Sequence, residues 1–237
     1  MTDAITLSVE RQSGLMRELT MIANNVANAS TTGYKKEAAV FAEFMKKVPG
    51  QDAMSMGSLR GHYTDLSAGA FQATDAPLDV AIEGDGFFGV ERGGEQLLTR
   101  DGHFQLDAEG ALVTADGFAV LDEGGGPIEL PPGTGEVAIG RDGTITADGV
   151  PFAQLGVFAA TPETLTRAGG NLWSAGGRLE ADEDPRVRQG FLENANVSPV
   201  EEMARLIEAQ RMYEAGSNLQ SDEHERLRSL IEALGQQ

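Results

Sequence analysis

Cysteine is absent from this 237-residue chain, which removes disulfides, thiolate metal ligands and a thiol nucleophile at once. Histidine is scarce, and its three copies, His62, His103 and His224, fall in different predicted segments, so no histidine-based triad or metal site is expected. No apolar run is long enough to span a bilayer. Met1 to Gly14 has neither a basic start nor a continuous apolar stretch, so no cleavable secretory signal and no direct membrane insertion are expected. Positive charge is also short: 18 Lys/Arg face 37 Asp/Glu, a formal net charge of −19. The deficit is central, with residues 49–198 at −16 against +1 before them and −4 after. Such a centre repels phosphate backbones and anionic head groups, which disfavours nucleic acid and membrane surfaces as partners. The near-neutral ends can pack closely against copies or partners.

What is present describes a folded chain. Hydrophobic residues make up 41% and charged residues 23%, the ordinary globular range. Between Asp3 and about Asn28 no proline intervenes, and apolar or small residues recur at Ile5, Val9, Met16, Leu19, Ala23 and Val26, the 3-4 spacing of a helix. Leu15 and Ile22 lie off that stripe, so this helix needs more than one neighbour. Asn24, Asn25, Asn28, Ser30, Thr31, Thr32 and Gly33 then supply capping and turn residues that end it. Residues 31–75 read as an extended bridging segment, a length that compact domains seldom leave without a task.

From 76 to 193 short apolar runs alternate with Gly93-Gly94, Asp101-Gly102, Glu109-Gly110, Asp116-Gly117 and Asp142-Gly143. Asp-Gly between apolar runs is a strong hairpin signal, because tight hairpin turns need positive φ, so this stretch is predicted to be an antiparallel β domain. Arg100-Asp101-Gly102 and Arg141-Asp142-Gly143 each precede an alternating stretch, which hints at a repeated hairpin. In the last segment, 194–237, Ser198 can cap a helix with Pro199 at its first position and Glu201 and Glu202 in its first turn. Its heptad-like positions run through Met203, Leu206, Gln210, Tyr213, Ser217, Gln220, His224, Leu227, Ile231 and Leu234.

The expected fold class is therefore α+β: long N- and C-terminal helices, residues 1–30 and 194–237, pairing as a coiled-coil-like terminal domain, with a central antiparallel β domain and an extended connecting segment. The candidate functional surface is an assembly interface made of Ile5, Val9, Met16, Leu19, Ile22, Val26, Met203, Leu206, Ile207, Tyr213, Leu227, Ile231 and Leu234. No catalytic residue, cofactor or metal ligand is assigned. Gly84-Asp85-Gly86-Phe87-Phe88-Gly89 matches G-x-G-x-x-G, but a dinucleotide fingerprint opens a helix, and here Val90-Glu91-Arg92-Gly93-Gly94 reads as strand then turn. The Asp-Gly pairs lack the spacing and closing Glu of a calcium loop, and Asp101 with Asp107 is an unconvincing hydrolytic pair.

Three stretches carry a resemblance. Ile22-Ala23-Asn24-Asn25-Val26-Ala27-Asn28-Ala29-Ser30-Thr31-Thr32-Gly33-Tyr34-Lys35 resembles the N-terminal signature of the flagellar rod and hook protein family. Asp79 to Phe88, followed by Leu98-Thr99-Arg100-Asp101-Gly102-His103-Phe104, is similar to the opening of that family's β domain, and Asn196 to Met203 through Gln210–Ala215 is similar to its C-terminal helix. The resemblance implies a non-enzymatic structural subunit of the basal-body rod. A proximal position is expected first and a distal one second; a nucleotide-binding enzyme using Gly84–Gly89 and a single-partner adaptor are the rival classes. It also implies no cofactor, partnership with itself and other rod proteins, export by the flagellar type III apparatus, and residence in the periplasmic part of the basal body.

Overall fold

The computed structural model describes residues 2–46, 54–131, 133–162 and 164–234. Two helices flank a β-rich middle: α1 covers Thr2–Ala27 and α2 covers Pro199–Leu234. In chain order the strands are β1 (Glu37–Lys46), β2 (Met54–Thr64), β3 (Phe71–Ala73), β4 (Val80–Ile82), β5 (Phe87–Arg92) and β6 (Glu95–Thr99). They continue with β7 (Phe104–Leu106), β8 (Leu112–Thr114), β9 (Ala119–Val120), β10 (Val137–Ile139), β11 (Thr144–Ala147) and β12 (Val150–Gln154). The last six are β13 (Val157–Ala159), β14 (Thr166–Gly169), β15 (Leu172–Ser174), β16 (Glu180–Ala181), β17 (Val187–Gln189) and β18 (Phe191–Glu193). The chain divides into two units, one of residues 1–27, 37–65 and 198–237, the other of residues 28–36 and 66–197.

The first unit holds both helices and a two-stranded antiparallel ribbon, β1 with β2, whose register shifts between Val40 and Phe41. The start of α2 follows from its sequence: Pro199 sits at the first helical position, Glu201 and Glu202 occupy the first turn, and the Glu202 amide donates to the Ser198 carbonyl at 3.0 Å. Among the described residues of α1 the buried ones are Gly14, Leu15, Met21, Ile22 and Asn25. The Asn25 amide reaches two elements. Its Nδ2 donates to the Glu37 carbonyl at 2.8 Å and to Glu202 Oε2 at 3.1 Å, while its Oδ1 accepts from the Glu37 amide at 3.0 Å.

The expected fold class is corrected here. The first unit is not a coiled-coil-like pair of long helices: one helix is the shorter of two, and no regular apolar seam runs along either among the described residues. Residues expected to form an extended connector instead supply the β1–β2 ribbon. The physical reason lies in which residues turn inward. Among the described residues of α2 the fully buried positions are Glu202 and Ala209, one charged and one small, and neither makes a knob for a hydrophobic hole. Met203, expected on the seam, and Ile207, expected at the assembly interface, are 55% and 50% exposed, and Met16 of α1 is 56% exposed.

The second unit is all antiparallel β. Its main sheet follows the order β14-β15-β6-β5-β9-β8-β7, with β13 joining β5 to β16. A three-stranded sheet β10-β11-β12 and the pairs β4 with β17 and β3 with β18 complete it. Adjacent residues on a strand face opposite ways, and on β5 both faces are covered. Phe88 packs into a cluster with Val80, Ile82 and Phe104, meeting the Phe104 ring edge-on at 5.1 Å. Phe87 packs with Leu98, Leu121, Phe158 and Trp173 on the other side.

Most predicted glycine turns hold, but one does not. Arg141-Asp142-Gly143 turns β10 into β11, with Gly143 at φ +83°. Arg100-Asp101-Gly102 is no hairpin turn, because β6 and β7 do not pair. Gly102 is instead needed for close approach: a Cβ there would run into the Val80 carbonyl. The repeated-hairpin reading fails on that difference.

Candidate functional site

The expected interface residues whose side chains are described differ in burial. Ile22 is buried within the first unit; Leu19, Val26, Leu206 and Tyr213 are partly buried; Met16, Met203 and Ile207 are exposed. The backbone of Ile5, Val9, Leu227, Ile231 and Leu234 lies in the helices, but their side chains lie outside the described residues. The exposed apolar residues on α2 include Val200, Met203 and Ile207, spaced three and four apart and therefore on one face. The face that α1 buries is the Leu15–Ile22 one, which the sequence pattern treats as secondary.

Glu18 of α1 lies within electrostatic reach of Arg205 and Glu208 of α2. Burial holds this carboxyl above its ordinary value; Arg205 opposes the shift and Glu208 adds to it.

In the second unit the polar centre is Glu193, at the end of β18. Its Oε1 accepts from Lys35 Nζ at 2.6 Å and from the Gly69 amide at 2.8 Å, and its Oε2 accepts from Arg100 Nη1 at 3.1 Å. The Lys35, Arg100 and Glu193 side chains are only 1%, 3% and 1% exposed. Arg100 also donates to the Gly84 carbonyl at 2.7 Å and stands over the Phe87 ring. Burial pulls the Arg100 guanidinium below its ordinary value, and the Glu193 carboxylate pulls it back.

Around this triad, residues 28–36 are threaded into the β unit. The Gly33 amide donates to the Glu193 carbonyl at 2.7 Å, Asn171 Nδ2 to the Thr32 carbonyl at 2.5 Å, and Arg167 Nη2 to the Lys35 carbonyl at 3.0 Å. Asn196 Oδ1 accepts from the Lys36 amide at 2.7 Å. The Arg167 guanidinium lies 4.9 Å from the Tyr34 ring centre and 4.5 Å from that of Trp173, a double cation–π contact. Gly33 sits at φ +66°, and a Cβ there would run into the Arg100 backbone, so the position requires glycine twice over.

Sequence reasoning missed this centre, although a signal was present. Lys35 closes the first resembling stretch, Arg100 lies in the second, and Glu193 falls three residues before the third.

Other candidate chemistry finds no support. Gly84 and Gly86 have φ +116° and +114°, but the chain then enters β5 with Phe87 and Phe88 buried, so no helix N-terminus faces a phosphate. Among the described residues no group of three or more acidic or histidine side chains is arranged to hold a metal ion. An open groove of about 440 Å³ beside Asp75, Glu136 and Gln189 brings together no nucleophile with a base.

Three family models match the chain in order: "Flagella basal body rod protein" over residues 7–35, "Flagellar hook protein FlgE/F/G D1 domain" over 81–147, and "Flagellar basal body rod FlgEFG protein C-terminal" over 188–233. Lys35, Arg100 and Glu193 belong to one each. The chain is 36% identical to flagellar basal-body rod protein FlgF of Caulobacter vibrioides and 34% identical to FlgF of Rhizobium meliloti, covering 99% of both chains in each case. It is 32% identical to the rod protein FlgG of Bacillus subtilis over 90% of this chain and 92% of that one. With likeness of that extent along its whole length, and with its three matched segments meeting at one buried carboxylate, the chain belongs to the flagellar basal-body rod protein family.

Proposed function

We propose that the chain is an FlgF-like structural subunit of the bacterial flagellar basal-body rod, working by assembly and catalysing no reaction. The observation that carries this is the alignment of two FlgF relatives over 99% of this chain and 99% of their own length; a third FlgF relative covers 90% of this chain, and the FlgG relatives cover 83–91%. Its partners are further copies of itself and the other proximal and distal rod proteins. Delivery by the flagellar type III export apparatus and a place in the periplasmic stretch of the basal body belong to the same reading. Through those contacts the subunit passes torque along the shaft. No described helix is long and apolar enough to cross a membrane.

The contacts fall, on this reading, on the helical unit's exposed apolar residues. Met203, Ile207 and Met16 are the candidates with described exposure, and Val200 extends the α2 face; Ile5, Val9, Leu19, Val26, Leu206, Tyr213, Leu227, Ile231 and Leu234 remain candidates beside them. Hydrophobic surface of this kind gains free energy when another subunit covers it, about 25 cal/mol per Å² of apolar area.

The test is incorporation. In a host whose own copy of the gene is deleted, the tagged full-length chain should co-purify with basal bodies and restore motility. The M203D/I207D double variant should keep the parent's helix content by circular dichroism yet be lost from basal bodies. Normal incorporation of that variant would remove the helix face from the mechanism, and failure of the unmodified chain to enter basal bodies would remove the function.

A further inference from the structure

The chain passes between its two units four times, after residues 27, 36, 65 and 197. Every covalent link between the β unit and the rest of the chain therefore runs through three of its segments: 28–36, the stretch that begins at 66, and the stretch that ends at 197. All three are tied to one another. Lys35 Nζ donates to the Ser67 carbonyl at 2.7 Å as well as to Glu193, and Asn196 Nδ2 donates to the same Ser67 carbonyl at 3.0 Å. The Gly69 amide donates to Glu193 Oε1 at 2.8 Å, and the Asn194 amide to the Ala70 carbonyl at 2.9 Å. The Asn196 amide donates to the Tyr34 carbonyl at 3.3 Å, and its side-chain oxygen accepts from the Lys36 amide at 2.7 Å. The last two segments approach so closely that a Cβ on Gly69 would run into the Asn194 carbonyl.

Direction adds to this. Gly33 bonds to Glu193, while Tyr34 and Lys36 bond to Asn196, so 33–36 and 193–196 lie side by side and run the same way. A pull on the residue 28 end of one and the residue 197 end of the other acts along both segments. Their cross-bonds are then loaded together instead of being opened one after another. The kind of bond matters as well. Apolar contacts are non-directional and let surfaces slide, whereas short charge-assisted hydrogen bonds hold their partners to one geometry. A buried ion cluster is a weak way to add stability, since desolvation offsets much of its attraction. It is a good way to fix three segments against displacement.

We infer that the cluster of Lys35, Ser67, Glu193 and Asn196 is a mechanical clasp, which shares among all four chain crossings the tension that arrives along any one of them. The inference rests on the proposed passage of torque along the shaft and names the part of the β unit that withstands it.

The experiment is constant-force stretching of the purified full-length chain with optical tweezers. The chain has no cysteine, so paired cysteines place the handles uniquely. Ser30→Cys with Val200→Cys loads the clasp, and Glu109→Cys with Glu183→Cys pulls on the same β unit outside it; all four positions are exposed. Lys35→Met should shorten the lifetime under force by about tenfold or more with the first pair, the kinetic equivalent of one charge-assisted hydrogen bond that breaks at the barrier, and by less than about twofold with the second. Asn196→Ala, which spares the ion cluster, should shorten the lifetime with the first pair alone, and it decides the matter if Lys35→Met does not fold. Equal shortening with both pairs marks a general stabiliser and overturns the inference, as does an unchanged lifetime with the first pair. Incorporation is read separately: a chain that shows the difference between pairs but does not enter basal bodies keeps the clasp and loses the rod assignment.

Discussion

Replacing Glu193 with glutamine tests the account of the β unit most directly. Glu193 holds Lys35 at 2.6 Å, Arg100 at 3.1 Å and the Gly69 amide at 2.8 Å, with all three side chains at most 3% exposed. Removing one partner from a buried ion pair costs about 3–5 kcal/mol, because the other charge stays desolvated without compensation. The glutamine keeps an acceptor for one donor but no charge for either cation, so Glu193→Gln is expected to cost at least that. Lys35→Met leaves the Arg100–Glu193 pair in place and forfeits a charge-assisted hydrogen bond, about 1.5–3 kcal/mol. By contrast, the Arg186–Asp184 bridge has side chains 70% and 85% exposed, and such surface pairs contribute about 0–1 kcal/mol.

The assay is urea unfolding followed by intrinsic tryptophan fluorescence. Trp173 is the sole tryptophan and is 1% exposed within the β unit, so its emission reports that unit and not the helices. The stability loss should be nearly the same at low and high salt, since buried charges are weakly screened. A cost below about 1 kcal/mol for Glu193→Gln, the value of a surface pair, would refute the reasoning; so would a Lys35→Met variant that loses as much as Glu193→Gln.

Four further outcomes are expected. Gly33→Ala meets both a left-handed backbone and the Arg100 main chain, and should lower the urea midpoint by the equivalent of about 1–3 kcal/mol. Deleting residues 1–27 should leave the Trp173 transition intact, whereas deleting 1–36 should abolish or broaden it, because Thr32, Gly33, Lys35 and Lys36 all bond into the β unit. Arg167→Lys loses the planar stack between Tyr34 and Trp173, and should cost about 1–2 kcal/mol and shift the Trp173 emission. Burial holds the Asp101 carboxyl above its ordinary value, so its contribution is fully present below the ordinary Asp range and is lost as pH rises through the raised value. Asp101→Asn should therefore stabilise the unit more at pH 7 than at pH 4, measured by the same unfolding curves.

The β domain was readable because turn chemistry is local. Gly93-Gly94, Gly110, Gly117 and Gly143 take positive φ in the structure, and a positive φ is what glycine at such a position announces. Gly102 shows the limit of that inference. Its glycine answers a through-space demand, the approach of the Val80 carbonyl, and no local pattern separates that from a turn. The start of α2 was equally local, resting on Ser198, Pro199 and the two glutamates that follow.

The helix faces were less legible, since periodicity marks a stripe without saying what covers it. On α1 two apolar stripes compete, and the one containing Leu15 and Ile22 is buried because Asn25 beside them bonds to Glu37 and Glu202. A polar residue thus selects the inward face, and counting hydrophobic positions assigns it to neither. The same holds for Glu193, a charge that hydropathy would place at the surface and that three distant segments bring inside. For a chain that works by association this has a consequence: its folded units are fixed by buried polar groups such as Asn25, Glu202, Lys35, Arg100 and Glu193, which leaves apolar residues such as Met203 and Ile207 uncommitted. Apolar side chains that the monomer does not need are the ones a neighbouring subunit can use.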